Sequence, residues 1–443
     1  MALKYTDTDR HILRLAVPNV ISNISVPLLG MADTAIAGRL GDDANIAALS
    51  IGTTIFNFIY WNCAFLRMGT SGITAQACGA GRHAECANML VRAVWLALVL
   101  AALILVFQQP IGKYSLALMQ GSDKVQALAA EYIFARIRAV PASVLLFAIQ
   151  GWYIGMQDAR TPMYIAILSN VANIVFSVGF VFGLGMGISG VAWGTVVAQY
   201  AGLIMAVVFW LVKYRPYSAY FNLRDSLRLA PLVRFLHINK DIFLRTFCIV
   251  IAYTFFTAAS ARFGDVILTT NALLMQLFTL FSYLADGFAY SAEALSGRFV
   301  GERNTETLHR FIRRLMGWSF LIAVLFVGLY LVGWKDILGI FSPSDEIIAC
   351  AGQYIVWVIA VPLIGAVPFM IDGIMIGATR TKILRNTVFL STVLYLASFY
   401  VLSPWLGNTA LWIAFLIFLS ARGLLLYFAS DRLNVEKIIH DRF

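Results

Sequence analysis

Several carboxylates of this sequence lie inside long apolar stretches. Asp33 is deep in the first of these stretches, and Asp286, Glu293 and Asp372 are in stretches of the second half. An acid at the centre of a membrane-spanning helix costs about 2.5–3.5 kcal/mol on insertion scales, so such a residue usually has a function. An apolar surrounding favours the neutral form of a carboxylate, which suits it to bind and release a proton. These residues therefore indicate proton or cation handling at membrane depth.

Asp33 is the sharpest of these candidates. Pro18 and Pro27 precede it in the same stretch, and each lacks the backbone N–H that would hold a helical turn. We predict that the helix can bend there, which would couple the charge of Asp33 to the shape of the helix. The alternative is a structural carboxylate that neighbouring hydroxyl groups satisfy.

The sequence lacks the motifs for phosphate binding, metal binding and redox chemistry. There is no glycine-rich phosphate loop, and Asp42-Asp43 lacks the DDxxD spacing that binds magnesium and diphosphate. The five histidines fall in predicted loops or termini, and the five cysteines have no CxxC spacing. We therefore predict no enzyme, no metal site and no cofactor apart from a coupling ion.

The composition indicates which elements position the buried acids. Of the 443 residues, 60% are hydrophobic and 13% are charged, whereas soluble domains have roughly 45–50% and 25%. A span needs about 20 mostly apolar residues. We predict an all-α polytopic membrane protein with twelve spans near 14–36, 44–70, 89–110, 128–155, 162–183, 188–212, 242–261, 267–297, 315–333, 347–377, 383–403 and 408–429.

The distribution of lysine and arginine predicts the orientation. If both termini are cytoplasmic, the cytoplasmic segments carry 24 of these residues and the outer segments carry five. Cytoplasmic loops of membrane proteins are enriched in both types. This bias accounts for the net charge of +10 without nucleic acid as a partner. We predict a multi-pass protein of the bacterial inner membrane with both termini in the cytoplasm.

The chain repeats itself after about 222 residues. The segment 39–42 (RLGD) recurs as 262–265 (RFGD), and the two glycines that bound 151–155 recur in 373–377. Six spans separate the copies, so both copies have the same orientation in the membrane. Asp33 matches a phenylalanine near position 255 in the second half. The repeat therefore does not require an acid at position 33.

The repeat also predicts the domain organisation. Residues 1–212 form one six-helix lobe and 242–443 form the other. Between them, 213–241 alternates leucines with basic residues, a pattern typical of an amphipathic segment on the cytoplasmic membrane surface.

Four motifs together resemble the multidrug and toxic compound extrusion family, in its DNA-damage-inducible-F (DinF-type) branch. They are Pro27-Leu-Leu-Gly-Met-Ala-Asp33-Thr-Ala-Ile-Ala-Gly38, Gly72-Ile-Thr-Ala-Gln-Ala-Cys-Gly79-Ala-Gly81, Asp286-Gly-Phe-Ala-Tyr-Ser-Ala-Glu293-Ala and Asp372-Gly-Ile-Met-Ile-Gly-Ala-Thr-Arg380. The resemblance covers the whole chain. It implies a V-shaped pair of six-helix lobes that exports amphiphilic, often cationic compounds with a cation gradient.

The resemblance also implies a cation site. Asn173, Ser177 and Thr195 align with positions that join the first-helix acid, here Asp33, in that site. Relatives often have an aspartate where Ser177 stands. Sodium prefers several hard oxygens and negative charge, so the missing acid favours protons. The alternative for Asn173 and Thr195 is hydrogen bonding between helices, about 0.6 kcal/mol each.

A second set of residues is predicted to line an adaptable substrate cavity. Methionine and aromatic side chains can repack around varied ligands, and buried acids attract cations. The alternative for each residue is ordinary packing or a buried polar network. The set comprises Asp372, Asp286, Glu293, Arg67, Gln150, Met31, Met275 and Phe278.

We predict a secondary active efflux transporter that exchanges amphiphilic or cationic organic compounds for a cation by alternating access. The coupling ion is a proton, with sodium as the alternative, and we expect a monomer in the lipid bilayer. Two rivals from the same superfamily remain open: a lipid-linked oligosaccharide flippase and an organic-acid exporter. Both would require basic residues in the central cavity, and the candidates for that role are few: Arg67, Arg136, Arg138 and Arg422.

Reporter fusions test the predicted orientation. A reporter fused after Val212 and one fused after Asp431 should both report the cytoplasm, because the lysine and arginine bias places the connector and the C-terminus there. A periplasmic signal at either junction would contradict the orientation.

Overall fold

Long helices form the whole framework of the protein. The computed structural model describes residues 6–119, 121–341, 344–430 and 436, and this part of the chain contains no strand. The first half contains α1 (Asp7–Gly38), α2 (Asp43–Cys63), α3 (Phe65–Gly79), α4 (His83–Val106), α5 (Gln108–Leu118), α6 (Asp123–Arg136), α7 (Val140–Gly155), α8 (Arg160–Val178) and α9 (Gly187–Lys213). The second contains α10 (Leu223–Ser226), α11 (Leu229–Ser260), α12 (Asp265–Glu302), α13 (Thr305–Phe341), α14 (Asp345–Gly377), α15 (Thr381–Leu406) and α16 (Asn408–Ala429).

Within the described residues, twelve helical segments are long and apolar enough to cross a membrane, which confirms the predicted number. α2 and α3 form one segment, and α6 and α7 form another through a turn of 3-10 helix. α5 and α10 are too short to span. Lys4, Arg432, Lys437 and Arg442, which entered the orientation count, lie outside the described residues.

The predicted connector, 213–241, contains helical elements. A 3-10 turn (Arg215–Tyr220) and α10 occupy its first part, but α11 already begins at Leu229 and runs on into the seventh span. Leu229 to Asp241 therefore extends a spanning helix. Arg92 of α4 holds α10 in place, because its Nε donates to the Ser226 carbonyl at 2.7 Å.

The helices group into two compact units. Residues 21–239 form the N unit, and residues 1–20 with 240–443 form the C unit. The sequence-based boundaries were 212 and 242, with the first residues in the first lobe. The division falls inside α1 and inside α11, so each of these helices contributes residues to both units.

The internal repeat is visible in the backbone. Among described residues other than glycine, only Gln157, Arg303 and Thr379 have positive φ, a conformation that side chains rarely adopt. Gln157 and Thr379 are 222 positions apart, and Arg303 is 222 positions after Gly81, which also has positive φ. The two halves therefore share turns at the same places.

Close helix packing in the N unit depends on two glycines of α7. A methyl group at Gly151 would lie 2.4 Å from the carbonyl oxygen of Arg67, and one at Gly155 would lie 2.7 Å from that of Ser71. Both distances are far too short, so only glycine allows α7 to approach α3 this closely. Small residues have this role in many membrane proteins.

The C unit repeats this packing between α14 and α12. A methyl group at Gly373 would lie 2.4 Å from the Ala289 carbonyl oxygen, and one at Gly377 would lie 2.2 Å from that of Glu293. Each of these four residues stands 222 positions after its counterpart in the N unit. The repeat predicted from the glycines thus extends to their packing partners.

A carboxylate fixes the turn between α7 and α8. Asp158 accepts hydrogen bonds from the backbone N–H of Thr161 at 3.2 Å, from its hydroxyl at 2.7 Å and from Lys213 Nζ at 2.6 Å. Burial alone would raise the pKa of Asp158. The hydrogen bonds from Lys213 and Thr161 outweigh burial and hold this pKa below its usual range.

This lowered pKa predicts a pH dependence of stability. The stabilisation from Asp158 is complete above the unfolded pKa of about 3.9 and is lost as the pH falls through the lower folded value. We expect the Tm of the purified protein to fall as the pH drops below about 4. Hydrogen bonds to a charged group contribute about 1.5–3 kcal/mol, so Asp158→Asn should lower the Tm at pH 7 and weaken its acid dependence.

The control is Asp336→Asn, which replaces an exposed acid of α13. It should leave both the Tm and its pH dependence unchanged. An Asp158→Asn variant with the wild-type Tm at pH 7 and at acid pH would contradict the anchoring role.

Candidate functional site

Asp33 is a buried carboxylate in the N unit. Its side chain is 8% exposed, and no described residue donates a hydrogen bond to its Oδ1. α1 continues without interruption past Pro18 and Pro27. Arg136 of α6 is an opposite charge within electrostatic range, and it donates no hydrogen bond to Asp33 Oδ1 in the described structure.

Aromatic side chains hold the guanidinium of Arg136. Its Nη1 donates to the Tyr132 hydroxyl at 2.5 Å, and its carbon lies 4.8 Å from the centre of the Phe56 ring. A cation over an aromatic face gains about 0.5–2 kcal/mol, more when it is desolvated. Arg136 is the last residue of α6, directly before the 3-10 turn Ile137–Ala139. The N unit therefore places a positive charge at membrane depth beside Asp33.

The predicted cation ligands form a separate cluster between α8 and α9. Asn173 Nδ2 donates to Thr195 Oγ1 at 3.0 Å, and Ser177 Oγ donates to Asn173 Oδ1 at 3.2 Å. Gly194 lets the helices approach, because a methyl group there would lie 2.2 Å from Ser177 Oγ. In the described residues no hydrogen bond joins this trio to Asp33. The geometry is that of interhelical hydrogen bonding, and a shared cation site with Asp33 stays a prediction.

A second group of buried charges lies in the C unit. Asp372 of α14 accepts a hydrogen bond at its Oδ2 from Arg245 Nη2 at 2.5 Å, and Arg422 Nη2 of α16 donates to the same oxygen. All three side chains are buried. The orientation count had assigned Arg245 to a cytoplasmic segment. Arg245 is also a buried partner of Asp372, so this acid is an ion-pair centre.

The surroundings of this ion pair combine aromatic rings with further polar groups. The Arg422 guanidinium lies 5.7 Å from the centres of the Phe369 and Phe418 rings. Asp286 of α12 lies within electrostatic range of Arg422. Nε of both arginines and Oδ1 of Asp372 have no hydrogen-bond partner among the described residues. The polar groups of this cluster are therefore only partly satisfied.

The remaining predicted cavity residues are divided between the units. In the N unit, Met31 is exposed, Gln150 is half-buried and Arg67 is buried. In the C unit, Phe278 packs its ring 5.3 Å from that of Phe415, in an aromatic core. Met275 and Asp286 are half-buried there, and Glu293 is buried. Of these residues, Asp286 lies within electrostatic range of Arg422, which binds Asp372.

Comparisons with known proteins give the family. The model described as MatE matches residues 18–179 and 242–401, one block in each half of the repeat. The chain belongs to the MatE family. This result confirms the resemblance to the multidrug and toxic compound extrusion family.

Similar proteins cover nearly the whole chain of this MatE protein. DNA damage-inducible protein F of Escherichia coli is 36% identical over 421 residues, which are 95% of this chain and 91% of that protein. The probable multidrug resistance protein NorM of Chromobacterium violaceum is 23% identical, with 98% of this chain and 96% of that protein covered. These relatives confirm the DinF-type branch and a transporter, not an enzyme, in a multi-pass inner-membrane protein.

Solved structures confirm the fold. A MOP superfamily transporter from Pyrococcus furiosus superposes with a TM-score of 0.87 at 21% identity, over 98% of this chain and 97% of that one. An outward-facing multidrug resistance transporter of the same family gives 0.85 at 22% identity, with 98% and 97% covered.

Sequence reasoning did not connect Arg136 with Asp33, and it missed Arg245 as a partner of Asp372. A signal for Arg136 was present, because it lies in the middle of a predicted span where any ionisable residue is costly. The resemblance pointed to oxygen ligands around Asp33 and not to a cation. For Arg245 the signal was weak, since three residues from a predicted helix start is also where a cytoplasmic lysine or arginine commonly stands.

The ion pair predicts the effect of neutralising Asp372. Asp372→Asn leaves Arg245 and Arg422 buried without a carboxylate, and breaking a buried pair typically costs about 3–5 kcal/mol. We expect a low yield of folded protein and a Tm lowered by many degrees, measured by size-exclusion chromatography and thermal unfolding in detergent. The double variant Asp372→Asn with Arg245→Met should recover part of the loss, because one unpaired charge is removed with its partner. A wild-type Tm for Asp372→Asn would contradict this role.

Proposed function

We propose that this MatE protein is a proton-coupled efflux antiporter for amphiphilic and cationic organic compounds. One observation carries the proposal: the first span holds a buried carboxylate, Asp33, whose Oδ1 accepts no hydrogen bond from the described residues. A fixed structural carboxylate would normally have its oxygens satisfied. An unsatisfied one is suited to gain and lose a proton during a transport cycle.

The surroundings of Asp33 favour a proton over sodium as the coupling ion. Sodium prefers several hard oxygens with net negative charge. The hydroxyl and amide oxygens of Asn173, Ser177 and Thr195 already take part in hydrogen bonds with one another and with the Val191 carbonyl. Arg136 adds a positive charge near Asp33, which disfavours a second cation. A proton needs only the carboxylate.

The names of relatives support the substrate class. Probable multidrug resistance protein NorM and multidrug resistance protein MdtK of Yersinia pseudotuberculosis both cover at least 95% of their own length in the comparison. We infer from them that the substrates here are varied organic compounds. Flexible methionines such as Met31 and Met275 would suit such variety.

The parallel repeat supports alternating access as the mechanism. Two similar bundles with the same orientation in the membrane are a frequent basis of transport by exchange. One charge that crosses the membrane yields about 2.3 kcal/mol per 100 mV, which sustains roughly fiftyfold accumulation. Proton entry at Asp33 would supply this free energy and return the protein to the state that binds substrate.

Export of an organic acid is the second candidate. The C unit buries two arginines, Arg245 and Arg422, against one directly bound carboxylate, Asp372. Their free Nε groups could donate to a carboxylate of a substrate. Asp286 lies within electrostatic range of Arg422 and lowers the net charge of the cluster, so cationic substrates remain our first proposal. A flippase would make the same demand for buried cations.

Transport assays with Asp33→Asn test the proposal. The amide keeps the size of the side chain and cannot titrate, so the variant should fold and lose active efflux. We expect everted vesicles with the wild-type protein to accumulate a fluorescent organic cation under a pH gradient without sodium, and Asp33→Asn vesicles to stay at background. An anionic dye in the same assay distinguishes the organic-acid exporter.

Asp336→Asn is the matched control, since it neutralises an exposed acid of α13 and should transport normally. A folded Asp33→Asn protein with wild-type rate and unchanged pH dependence would refute the role of Asp33. Strict dependence on sodium would refute proton coupling.

A further inference from the structure

We propose that Arg136 is an internal counter-ion of Asp33, which pairs with the carboxylate when Asp33 is deprotonated and returns to Tyr132 and Phe56 when Asp33 is protonated. This inference rests on the proposed function of Asp33 and goes beyond it. The proton that binds Asp33 comes from water on one side of the membrane and leaves to water on the other, and Arg136 stays protonated throughout.

Arg136 lies near Asp33, but it is bound to other residues. Arg136 is close enough to attract Asp33 electrostatically, yet it is engaged elsewhere: it donates to the Tyr132 hydroxyl at 2.5 Å and lies over the Phe56 ring. The Oδ1 atom of Asp33 is buried, and no described residue donates to it. This is the arrangement expected with Asp33 neutral, because a charged carboxylate at this depth would draw the guanidinium to itself.

Few other charges compete for Arg136 or Asp33. α6 presents Arg136 and Tyr132 to Asp33, and α2 presents Tyr60 to Arg136. Tyrosines stay neutral near physiological pH. Arg136 is the cation that attracts Asp33. Pairing or separation of these two groups then decides the charge of this region.

The backbone changes from α-helix to 3-10 helix directly after Arg136. The residue stands where α6 gives way to a 3-10 turn, and Pro141 follows in the first turn of α7. A short 3-10 stretch within a long helix often marks a hinge. The counterpart helix of the C unit, α14, runs unbroken from Asp345 to Gly377 despite its internal prolines. Of these two counterpart spans, only the one that carries Arg136 has such a break.

Arg136 has a long, flexible side chain, whereas its partner Tyr132 is fixed by packing. The Tyr132 ring lies against Gly52 of α2, where a methyl group would come within 2.3 Å of the ring. Tyr132 is therefore held in place, and the long Arg136 side chain supplies the movement. A guanidinium on the carboxylate would also exclude sodium, whereas a proton removes the charge and releases the arginine.

The experiment measures the pH of half-maximal transport in proteoliposomes for matched variants. Arg136 favours the charged form of Asp33, so Arg136→Gln should move the midpoint to higher pH by about one unit or more. Arg136→Lys keeps the charge and should stay near the wild type. Tyr132→Phe removes the hydrogen bond that holds Arg136 away from Asp33, so it should move the midpoint to lower pH.

Arg138→Gln is the control. Arg138 is two residues away, exposed and 5.0 Å from the Trp193 ring, and its loss should leave the midpoint unchanged. A folded Arg136→Gln protein with the wild-type midpoint overturns the inference. If Arg136→Gln does not fold, Tyr132→Phe decides, and an unchanged midpoint in that variant overturns it. Loss of coupling in Asp33→Asn together with an unmoved midpoint in these variants would refute Arg136 alone and leave the proposed function intact.

Discussion

A charge inside the hydrocarbon core has to be neutralised within its own bundle of helices, because the bilayer offers neither water nor counter-ions. Both units of this protein meet that constraint with arginine and aromatic rings. In the C unit, Asp372 receives two guanidiniums directly. In the N unit, Arg136 rests on Tyr132 and Phe56 and stays near Asp33 without binding it. Direct contacts fix the charges of the C unit, whereas Arg136 of the N unit can change its partner.

The two halves share a backbone and differ in their chemistry. Positive-φ turns and close-packed glycines recur at an interval of 222 residues. Two charged residues of the candidate sites do not follow this interval: Asp372 corresponds to Gln150, and Arg136 corresponds to Val358. Glycine and turn positions are constrained by sterics that any six-helix copy must satisfy. Charges are constrained by function, so the halves can diverge at those positions while the scaffold stays common.

The sequence was sufficient for the spans, the repeat and the family, because hydropathy and glycine spacing are properties of single helices. It was insufficient for the charged partners. Arg245 is 127 residues from Asp372, and only the packing of α11 against α14 and α16 brings them together. Periodicity along a helix identifies a buried face but not the neighbour that meets it. The helical start at Leu229 was not predicted for a related reason, since the leucine and arginine pattern there is also typical of a surface segment.

The composition of the C unit has a consequence for biosynthesis. Its residues 6–20 are made before the N unit, yet Asp9 among them is buried against Trp318, which follows 309 residues later. At roughly 5–20 residues per second, that delay is about 15–60 s. The N unit is contiguous from residue 21 to 239 and can complete its contacts during this time. Asp9 at the beginning of α1 therefore lacks its hydrogen-bond donor, Trp318, until the ribosome has synthesised α13.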